Sequence, residues 1–550
     1  MTTEYNVGDL VAEFLSLCGI ATAVGVVSVH NIPMLDGIGR RNAIRFVMAR
    51  GELGGGHMAD GYARVTGTLG AFFSSTGPGA ANAVGSLIEA RYAATPMLHL
   101  TGQTATKFAD RGMGTVHDAY EQLDMLASVS KTAYRIRAAE QALGVLTRAA
   151  TDALTPPMGP VSVEVPIDVQ RTPIKRPAEF DSFSLPLPAP LAPSDTAIAE
   201  LAERVARAKR PMLWLGAGAR HAGGAATRLL DLGFGMVTSL QGRGSVSENH
   251  PLNLGGFNGN GQPLIEALYQ DTDLMLVVGS RLRGHETGDF AVKLPAELVQ
   301  IDADPLANGR TYPTSYFVCA DAKLALDALV TRLQGKTKVD AAFTERVRAT
   351  KERVRAEFAT SLGPYGSFAE QLRAVMPRDA IWVRDVTISN TTWGHRLFPL
   401  YGAETNVYPV GAGIGQGLQL GIGAALGANG RKVVVMTGDG GFFLNVGELW
   451  TAVQEKLDMV VMVMNDRGYG VIKHIQNALY GGRNYYADLI GPDLRDLARI
   501  AGMPFWRVQD PASLGATVAQ ALATRGPTLV EVDMRAIGEI PPYYPYNKRS

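Results

Sequence analysis

Cysteine is nearly absent from this 550-residue chain, and it has neither net charge nor long apolar runs. The two cysteines, Cys18 and Cys319, argue against a disulfide framework and favour a reducing compartment. Basic and acidic side chains number 52 each, and the basic ones form no long run. We therefore do not expect the protein to bind nucleic acid. Apolar runs stay below the roughly 18 residues of a membrane span, and the first residues show no signal-peptide pattern. We therefore expect a cytoplasmic protein without a membrane partner.

Glycine, by contrast, is abundant. The 62 glycines cluster in turns that follow apolar runs, which is typical of an α/β enzyme. Two stretches have the composition of connectors, one proline-rich at 171–195 and one charged at 337–366. They predict three domains, at about 1–170, 195–335 and 367–550.

Two acidic turns in the last of these parts point to a metal site. An apolar run at 433–436 leads to the Gly-rich turn around Asp439, a helix-like stretch spans 442–457, and a second apolar run at 459–464 leads to the turn at Asp466. This pattern predicts two parallel strands joined by a helix. Turns at the carboxyl ends of neighbouring strands lie side by side, where open α/β sheets bind ligands. The two carboxylates can then share one cation while glycine N–H groups face an anion, which suits a metal-bound diphosphate.

A similar unit occurs in the first part. Strand, Thr-Gly-x-Gly turn, helix and strand recur at 71–103 and 433–466 with nearly equal spacing, which predicts two copies of one doubly wound domain. The middle part also has the pattern of an α/β domain. Its Gly216-x-Gly218 turn lacks a third glycine, so plain scaffold is favoured there over a bound nucleotide. The predicted fold class is α/β, with three doubly wound parallel-sheet domains.

Two motifs resemble those of the thiamine-diphosphate enzymes of the acetolactate synthase, benzoylformate decarboxylase and benzaldehyde lyase group. One is Gly438-Asp439-Gly440 followed by Asn465-Asp466, and the other is the segment 50–64, which ends in Ala-Asp-Gly-Tyr-Ala-Arg. The resemblance covers essentially the whole chain. It implies a pyrimidine-binding, a central and a diphosphate-binding domain, and thiamine diphosphate and Mg²⁺ as cofactors.

The resemblance also implies which residues bind the cofactor. Asp439, Asp466 and the Gly468 carbonyl would bind Mg²⁺, although most members of the group have Asn where this chain has Asp466. Either side chain offers oxygen to a hard cation. The alternative is an ordinary acidic surface turn. The remaining cofactor-binding positions implied are Thr387, Ser389, Ala412, Gly413, Ile414, Gly438, Gly440, Gly441, Asp466, Tyr469 and Gly470.

Two residues match those that activate the cofactor in this group. Glu52 falls on the catalytic glutamate, which bonds the aminopyrimidine and promotes removal of the thiazolium C2 proton. Such positioned proton transfer contributes roughly 10²–10⁴ in rate. Ile414 matches the apolar wedge that keeps the cofactor bent, and the backbone at Ala412 would accept from its amine. A solvated helix cap and a core isoleucine are the respective alternatives.

The substrate side departs from the pyruvate decarboxylases of the group. Ile472 and Val29 stand where those enzymes have acids, which disfavours protonation of the reacting carbon and favours carboligation or lyase chemistry. By position, His30 resembles a histidine of benzaldehyde lyase and His117 its glutamine, and both would relay protons near neutral pH. Gln103 either bonds substrate or caps a strand. Structural roles for the two histidines remain the alternative.

The sequence therefore predicts an enzyme that acts on 2-oxo acids by decarboxylation and acyl transfer to a carbonyl acceptor. Cleavage of a 2-hydroxy ketone and simple decarboxylation are the alternatives. The resemblance implies a homodimer or homotetramer with active sites at subunit interfaces, and it leaves FAD in the central domain open. The aromatic tail at 541–546 either covers the active site or is a frayed terminus.

Overall fold

A computed structural model describes residues 4–259 and 261–542 and shows three parallel β-sheets. The tail residues 543–546 lie outside the described part. The first sheet has the strand order β2-β1-β3-β4-β6-β5. Its strands are β1 Thr22–Gly25, β2 Arg45–Met48, β3 Gly70–Ser74, β4 Met97–Gln103, β5 Thr132–Arg135 and β6 Pro160–Pro166. Its helices are α1 Val7–Leu17, α2 Ile32–Arg41, α3 Glu52–Thr66, α4 Pro78–Ala93, α5 Gln122–Val129, α6 Ala142–Leu154 and α7 Ile167–Arg171.

The central sheet has five strands in the order β11-β10-β9-β7-β8. They are β7 Pro211–Leu215, β8 Gly235–Thr238, β9 Leu274–Val278, β10 Leu298–Asp302 and β11 Tyr316–Cys319. Five helices accompany them: α8 Asp195–Arg207, α9 Gly223–Asp231, α10 Pro263–Asp271, α11 Gly284–Thr287 and α12 Ala322–Leu333. A long helix, α13 Ala341–Ser361, then leads to the third domain.

The third sheet has the order β13-β12-β14-β15-β17-β16. Its strands are β12 Ile381–Arg384, β13 Asn406–Val407, β14 Val433–Gly438, β15 Met459–Asn465, β16 Phe505–Val508 and β17 Thr528–Asp533. Its helices are α14 Phe368–Val375, α15 Gly417–Leu426, α16 Asp439–Leu444, α17 Leu449–Gln454, α18 Gly470–Leu479, α19 Leu494–Ala501, α20 Leu514–Ala523 and α21 Met534–Ile537.

Short helices of other types link these elements. A π-helix with a kink at Thr392 spans Asn390–Gly394. The 3₁₀-helices are Ala139–Gln141, Ala178–Ser182, Ala217–Ala222, Pro305–Ala307, Gly363–Tyr365, Ala403–Thr405, Val446–Glu448 and Pro511–Ser513.

The predicted repeat is confirmed by topology, because the first and third sheets have the same strand order when each is numbered from its own first strand. In both, the order reverses between the first and third strands, and the ends of these strands form the switch point at which open sheets bind ligands. The three-domain α/β class is likewise confirmed. The exact boundaries at 170, 195, 335 and 367 stay predictions.

One local prediction is wrong: no single helix spans 442–457. The helix α16 already begins at Asp439, and the chain leaves helical geometry at Asn445, where φ is −135°. A 3₁₀ turn and α17 follow. The asparagine side chain instead donates to the Gly415 carbonyl at 3.0 Å. Apolar periodicity cannot reveal this break, because the residues on both sides face the same core.

The first and third domains meet through α3 and α15, whose backbones lie in direct contact. A Cβ atom at Gly61 would stand 2.2 Å from the Leu420 carbonyl oxygen, and one at Gly423 would stand 1.9 Å from the Met58 carbonyl oxygen. Only glycine allows the helices to approach so closely. Because α3 begins at Glu52 and α15 follows Ile414, this contact sets the position of two predicted site residues.

Within the described residues, no helix is both long and apolar enough to cross a bilayer.

Candidate active site

A cavity of about 260 Å³ lies at the switch point of the third sheet. The turns after β12, β14 and β15 form its floor, and the loop before α15 forms one wall. The lining residues are Val386, Thr387, Ile388, Ala412, Ile414, Gly438, Gly440, Gly441, Met464, Asp466, Gly468, Tyr469, Gly470, Val471, Ile472 and Met534. Most of the predicted cofactor-binding residues are therefore brought together. Gly413 and Ser389 are exceptions, and the Ser389 hydroxyl is buried without a partner among the described residues.

The predicted metal ligands lie side by side. Asp439 Oδ2 accepts from the Gly468 N–H at 3.1 Å, while its Oδ1 is buried and has no partner among the described residues. Burial and the neighbouring Asp466 carboxylate raise the pKa of Asp439. A buried and a half-buried carboxylate close together, with one free oxygen, suit a divalent cation, which would relieve their repulsion. The described residues hold no cluster of three or more His, Cys, Asp or Glu side chains that could bind a metal.

Glycines shape the part of the cavity that would hold a diphosphate. A Cβ at Gly440 would stand 2.7 Å from the Tyr469 ring, and one at Gly470 would stand 2.3 Å from Asp466 Oδ2. The backbone can therefore approach a ligand where any side chain would intrude. The first N–H groups of α16 and α18 also open here, and such groups lack partners within their own helix. This arrangement fits an anion beside the metal site.

Asp385 connects three segments of the cavity, and the sequence did not reveal it. Its buried carboxylate accepts from the Gly415 N–H at 3.0 Å, from the Gly417 N–H at 3.1 Å and from the Thr437 hydroxyl at 3.1 Å. Burial raises the pKa of Asp385, and these hydrogen bonds oppose that rise. The only sequence signal was an acid directly after a buried strand.

Ile414 projects from the loop that leads into α15, with 42% of its surface exposed. Ala412 stands in the left-handed region with φ of 61°, a conformation that costs a non-glycine residue free energy. The surrounding structure must therefore hold this loop in place. Nearby Gly415 also has positive φ, at 83°.

A second group of predicted residues lies at the switch point of the first sheet. Glu52 begins α3, is 9% exposed and accepts from the Asn82 amide at 3.4 Å. A Cβ at Gly79 would stand 2.5 Å both from Glu52 Oε1 and from Ser75 Cβ. Glu52 is thus buried against the Gly-rich turn that mirrors the turn at Asp439.

The two histidines are in this group as well. The rings of His30 and His117 lie 5.2 Å apart, and His117 Nδ1 is 3.4 Å from the Ser75 hydroxyl. Burial, His117 and Arg171 lower the pKa of His30, and its buried Nδ1 has no partner in the described part of the chain.

Gln103 lies at the end of β4, and its side-chain oxygen accepts from the Thr104 N–H at 2.7 Å. That bond is a capping contact. Its Nε2 is buried and has no partner among the described residues. The neighbouring Gln122, which the sequence did not single out, accepts from the Gly77 N–H at 2.5 Å and from the Thr76 hydroxyl at 2.8 Å.

Among the described residues, no hydrogen bond joins Glu52, His30 or His117 to a residue that lines the cavity. Exposed apolar side chains border both groups: Val27, Val29, Ile88, Val116, Ile414, Leu444 and Ile472.

A second, more polar cavity of about 450 Å³ adjoins the first and shares Asp466, Gly470, Ile388 and Met534 with it. Its other lining residues include Lys473, His474, Asp488, Arg535 and Glu539. Lys473 forms an ion pair with Asp488 at 2.8 Å. This second cavity thus connects the first cavity to charged side chains.

In the central domain, the Gly216-x-Gly218 turn packs against the turn after β9. The Gly218 N–H donates to the Gly279 carbonyl at 3.0 Å, and a Cβ at Gly216 would stand 2.1 Å from that oxygen. This contact accounts for both glycines without a nucleotide.

Comparison with known proteins gives three matches to family models. The N-terminal TPP binding domain of thiamine pyrophosphate enzymes matches residues 5–127, the central domain matches 198–329, and the C-terminal TPP binding domain matches 388–532.

Relatives match over nearly the whole chain. A probable 2-ketoarginine decarboxylase, AruI, of Pseudomonas aeruginosa is 30% identical over 96% of this chain and 93% of its own length. The large subunit of acetolactate synthase isozyme 1 of Escherichia coli is 26% identical over 98% and 96%. An X-ray structure described as a thiamin diphosphate-dependent enzyme of Mycobacterium smegmatis is 26% identical and covers 96% of this chain and 99% of that one, with a TM-score of 0.79.

Proposed function

The chain belongs to the thiamine pyrophosphate enzyme family, and from this premise we propose that it decarboxylates a 2-oxo acid and transfers the acyl unit to a carbonyl acceptor, using thiamine diphosphate and Mg²⁺. When bound, thiamine diphosphate supplies a thiazolium carbon that adds to a carbonyl and accepts the electrons of the broken C–C bond. The protein provides binding, orientation and proton transfer.

In this proposal the third domain holds the diphosphate end. Asp439, Asp466 and the Gly468 carbonyl bind Mg²⁺, and the N–H groups of Gly440 and Gly441 face the phosphates. The free Asp439 oxygen and the glycine contacts support this assignment. The carboxylate at 466 adds negative charge to this end of the site, which a bound cation would offset.

The first domain supplies the proton chemistry. Glu52 holds a proton at the aminopyrimidine ring, and Asn82 orients its carboxylate through the 3.4 Å contact. His30 and His117 carry protons to and from the substrate. Burial, His117 and Arg171 lower the pKa of His30, which favours its neutral ring.

One observation carries the choice of acyl transfer: the cavity has few ionisable groups. Among the described residues that line it, only Asp466 and Tyr469 are ionisable, and Ile472 stands where an acid would protonate the reacting carbon. An acyl unit in such a site survives long enough to meet a second carbonyl.

Simple decarboxylation is the second candidate, because a relative at 30% identity is named a 2-ketoarginine decarboxylase. Cleavage of a 2-hydroxy ketone is the reverse of the proposed ligation and uses the same residues.

A product screen tests these alternatives. The purified protein with Mg²⁺ and thiamine diphosphate is given 2-oxo acids and 2-hydroxy ketones, with and without aldehydes, and CO₂ and products are measured by mass spectrometry. We expect CO₂ release together with a new C–C product. Release of CO₂ without a new C–C product would favour simple decarboxylation, and cleavage of a 2-hydroxy ketone without CO₂ would favour the lyase. The absence of both turnover and cofactor uptake would refute the proposal.

We also propose that a complete site forms between two copies of the chain, as a homodimer or a dimer of dimers. Two observations support this: no hydrogen bond among the described residues joins the Glu52 group to the cavity, and exposed apolar residues lie beside both. Co-expression of Glu52→Gln with Asp439→Asn chains should restore activity that neither variant has, because each mixed dimer contains one intact site. No recovery in mixed dimers would place both groups of one chain in one site.

A further inference from the structure

The glutamate Glu448 reaches from the third domain into the first. It ends the 3₁₀-helix Val446–Glu448 and is 3% exposed. Its Oε1 accepts from the Arg50 N–H at 3.0 Å and from the Gly51 N–H at 3.1 Å, and the Thr451 hydroxyl donates to its Oε2 at 2.7 Å. The two backbone donors directly precede Glu52.

The first domain is shaped to receive this carboxylate. Gly51 caps α3 without any side-chain hydrogen bond, so the backbone ahead of the helix needs an acceptor from elsewhere. A Cβ at Gly54 would stand 2.1 Å from Glu448 Oε1, so the glycine leaves the space that the carboxylate fills. Glu448 therefore fixes where α3 begins, and with it the backbone of Glu52.

Glu89 makes the corresponding contact in the opposite direction. It lies on α4 of the first domain and is 2% exposed. Its carboxylate accepts from the Val410 N–H at 2.6 Å and from the Gly411 N–H at 2.8 Å, in the third domain. These donors directly precede Ala412 and the wedge Ile414.

Arg64 completes this second contact. It lies on α3, donates to Glu89 Oε1 at 2.9 Å and donates to the Tyr408 carbonyl at 2.6 Å. Side chains of the first domain thus bind both N–H groups and a carbonyl of the loop that leads to Ala412 and Ile414. This explains how Ala412 is kept at its left-handed φ.

Simple adhesion between domains does not require such groups. Burying a charged side chain carries a large desolvation penalty before its partners compensate, and apolar side chains hold domains together without that penalty. What a carboxylate adds is direction, because it accepts from two successive N–H groups at defined angles. Each of the two carboxylates is directed at the backbone that carries a residue of the proposed site.

We propose that Glu448 and Glu89 are positioning residues with reciprocal roles. Glu448 of the third domain sets the backbone position of Glu52 in the first domain, and Glu89 of the first domain sets the backbone position of Ile414 in the third. The inference rests on the proposed function. It gives Glu448 a role in proton transfer by Glu52, and it gives Glu89 a role in the binding of the cofactor beside Ile414.

The test separates these two roles. In Glu448→Gln, the rate at which the C2 proton of bound thiamine diphosphate exchanges for deuterium should fall about 10–100-fold, since small misplacements of a catalytic group cost that much. Its cofactor affinity by calorimetry should change less than about threefold. In Glu89→Gln, the dissociation constant for the cofactor should rise about 10-fold.

Controls distinguish positioning from stability. Glu370→Gln, an exposed change in the same domain as Glu448, should alter neither quantity. Thr451→Val removes one donor to Glu448 and should slow exchange in the same direction but less, which keeps the test available if Glu448→Gln does not fold. The inference would be overturned if Glu448→Gln or Glu89→Gln lowered the melting temperature while its C2 proton exchange rate and its cofactor affinity matched those of Glu370→Gln. A wild-type protein that takes up no cofactor with Mg²⁺ would refute the proposed function as well.

Discussion

The first and third domains share one strand order and one type of turn, yet they present different chemistry at the same place. In the third domain the turn after β14 carries Asp439, which lies beside Asp466 at the end of the neighbouring strand β15. In the first, the turn after β3 has Pro78 at that position, and Glu52 and Ser75 pack against Gly79. The shared scaffold provides exposed N–H groups and a crevice. Within the turn itself the difference is one side chain, an acid at Asp439 and a proline at Pro78.

The sheets differ in their interiors as well. In the first, His99 of β4 lies opposite Phe72 and bonds the Ser74 and Ser162 hydroxyls at 2.8 and 2.9 Å. At the corresponding register of the third sheet, Met459 lies opposite Val433. The first sheet thus contains a titratable group where the third is apolar.

Removing the acid of the first domain should have the largest effect on activity. Glu52→Gln should lower turnover by about 10²–10⁴ while cofactor binding persists, because the amide cannot hold and release the proton. Turnover and calorimetric affinity are measured together, with the exposed Glu140→Gln as the control. Equal turnover in the two variants would mean that the first crevice is only structural.

Removing the acid of the third domain should affect binding instead. A metal ligand should matter at least as much as the residues that support one, so Asp439→Asn should weaken Mg²⁺-dependent cofactor uptake by about 10–100-fold or more. Titration of the cofactor at several Mg²⁺ concentrations measures this. Uptake that does not depend on metal in the wild type would contradict the assigned site.

The contact between the two domains should be equally intolerant on either side. Gly61→Ala and Gly423→Ala each place a methyl group against backbone and should cost about 1–3 kcal/mol of unfolding free energy. Gly144→Ala, in a helix with no neighbour within 4 Å of its Cβ, should gain up to about 1 kcal/mol. Urea unfolding compares the three. If the Gly61 and Gly423 variants were as stable as Gly144→Ala, the close approach of α3 and α15 would be wrong.

Lowering the pH should reduce the unfolding free energy through His99, inside the first sheet, and this effect should be smaller. Burial lowers the pKa of His99 to about 3, so below about pH 6.5 the unfolded chain takes up a proton that the folded chain does not. Stability should therefore fall as the pH drops from 6.5, by at most about 1.4 kcal/mol per unit from this residue. His99→Gln should make the loss between pH 7 and 5 shallower in urea unfolding. Parallel losses in the two proteins would remove His99 as a cause.

Much of the site could be predicted from local pattern. Asp439 and Asp466 follow neighbouring buried strands, and parallel strands bring their carboxyl ends together, so their proximity followed from spacing. The repeat of the Thr-Gly-x-Gly turn predicted the common topology of the outer domains. The break at Asn445 and the position of Ser389 away from the cavity wall were not predicted, because both depend on contacts with residues distant in sequence.

The tertiary structure also revealed residues that carry no motif. Asp385, Gln122, Glu89 and Glu448 each bind backbone N–H groups of other segments. A backbone donor leaves no trace in the sequence, because every residue except proline has one. The sequence signal that remains is a glycine such as Gly54, where a Cβ atom would occupy the space of the Glu448 carboxylate.

The sequence by itself determined the cofactor family and the fold, because side-chain chemistry and strand spacing are local properties. Tertiary structure alone decided that Glu52 shares no hydrogen bond with Asp439 or Asp466 within the described residues, and that each outer domain holds a loop of the other. Those features arise from the packing of α3 against α15, where contacts join residues more than three hundred positions apart.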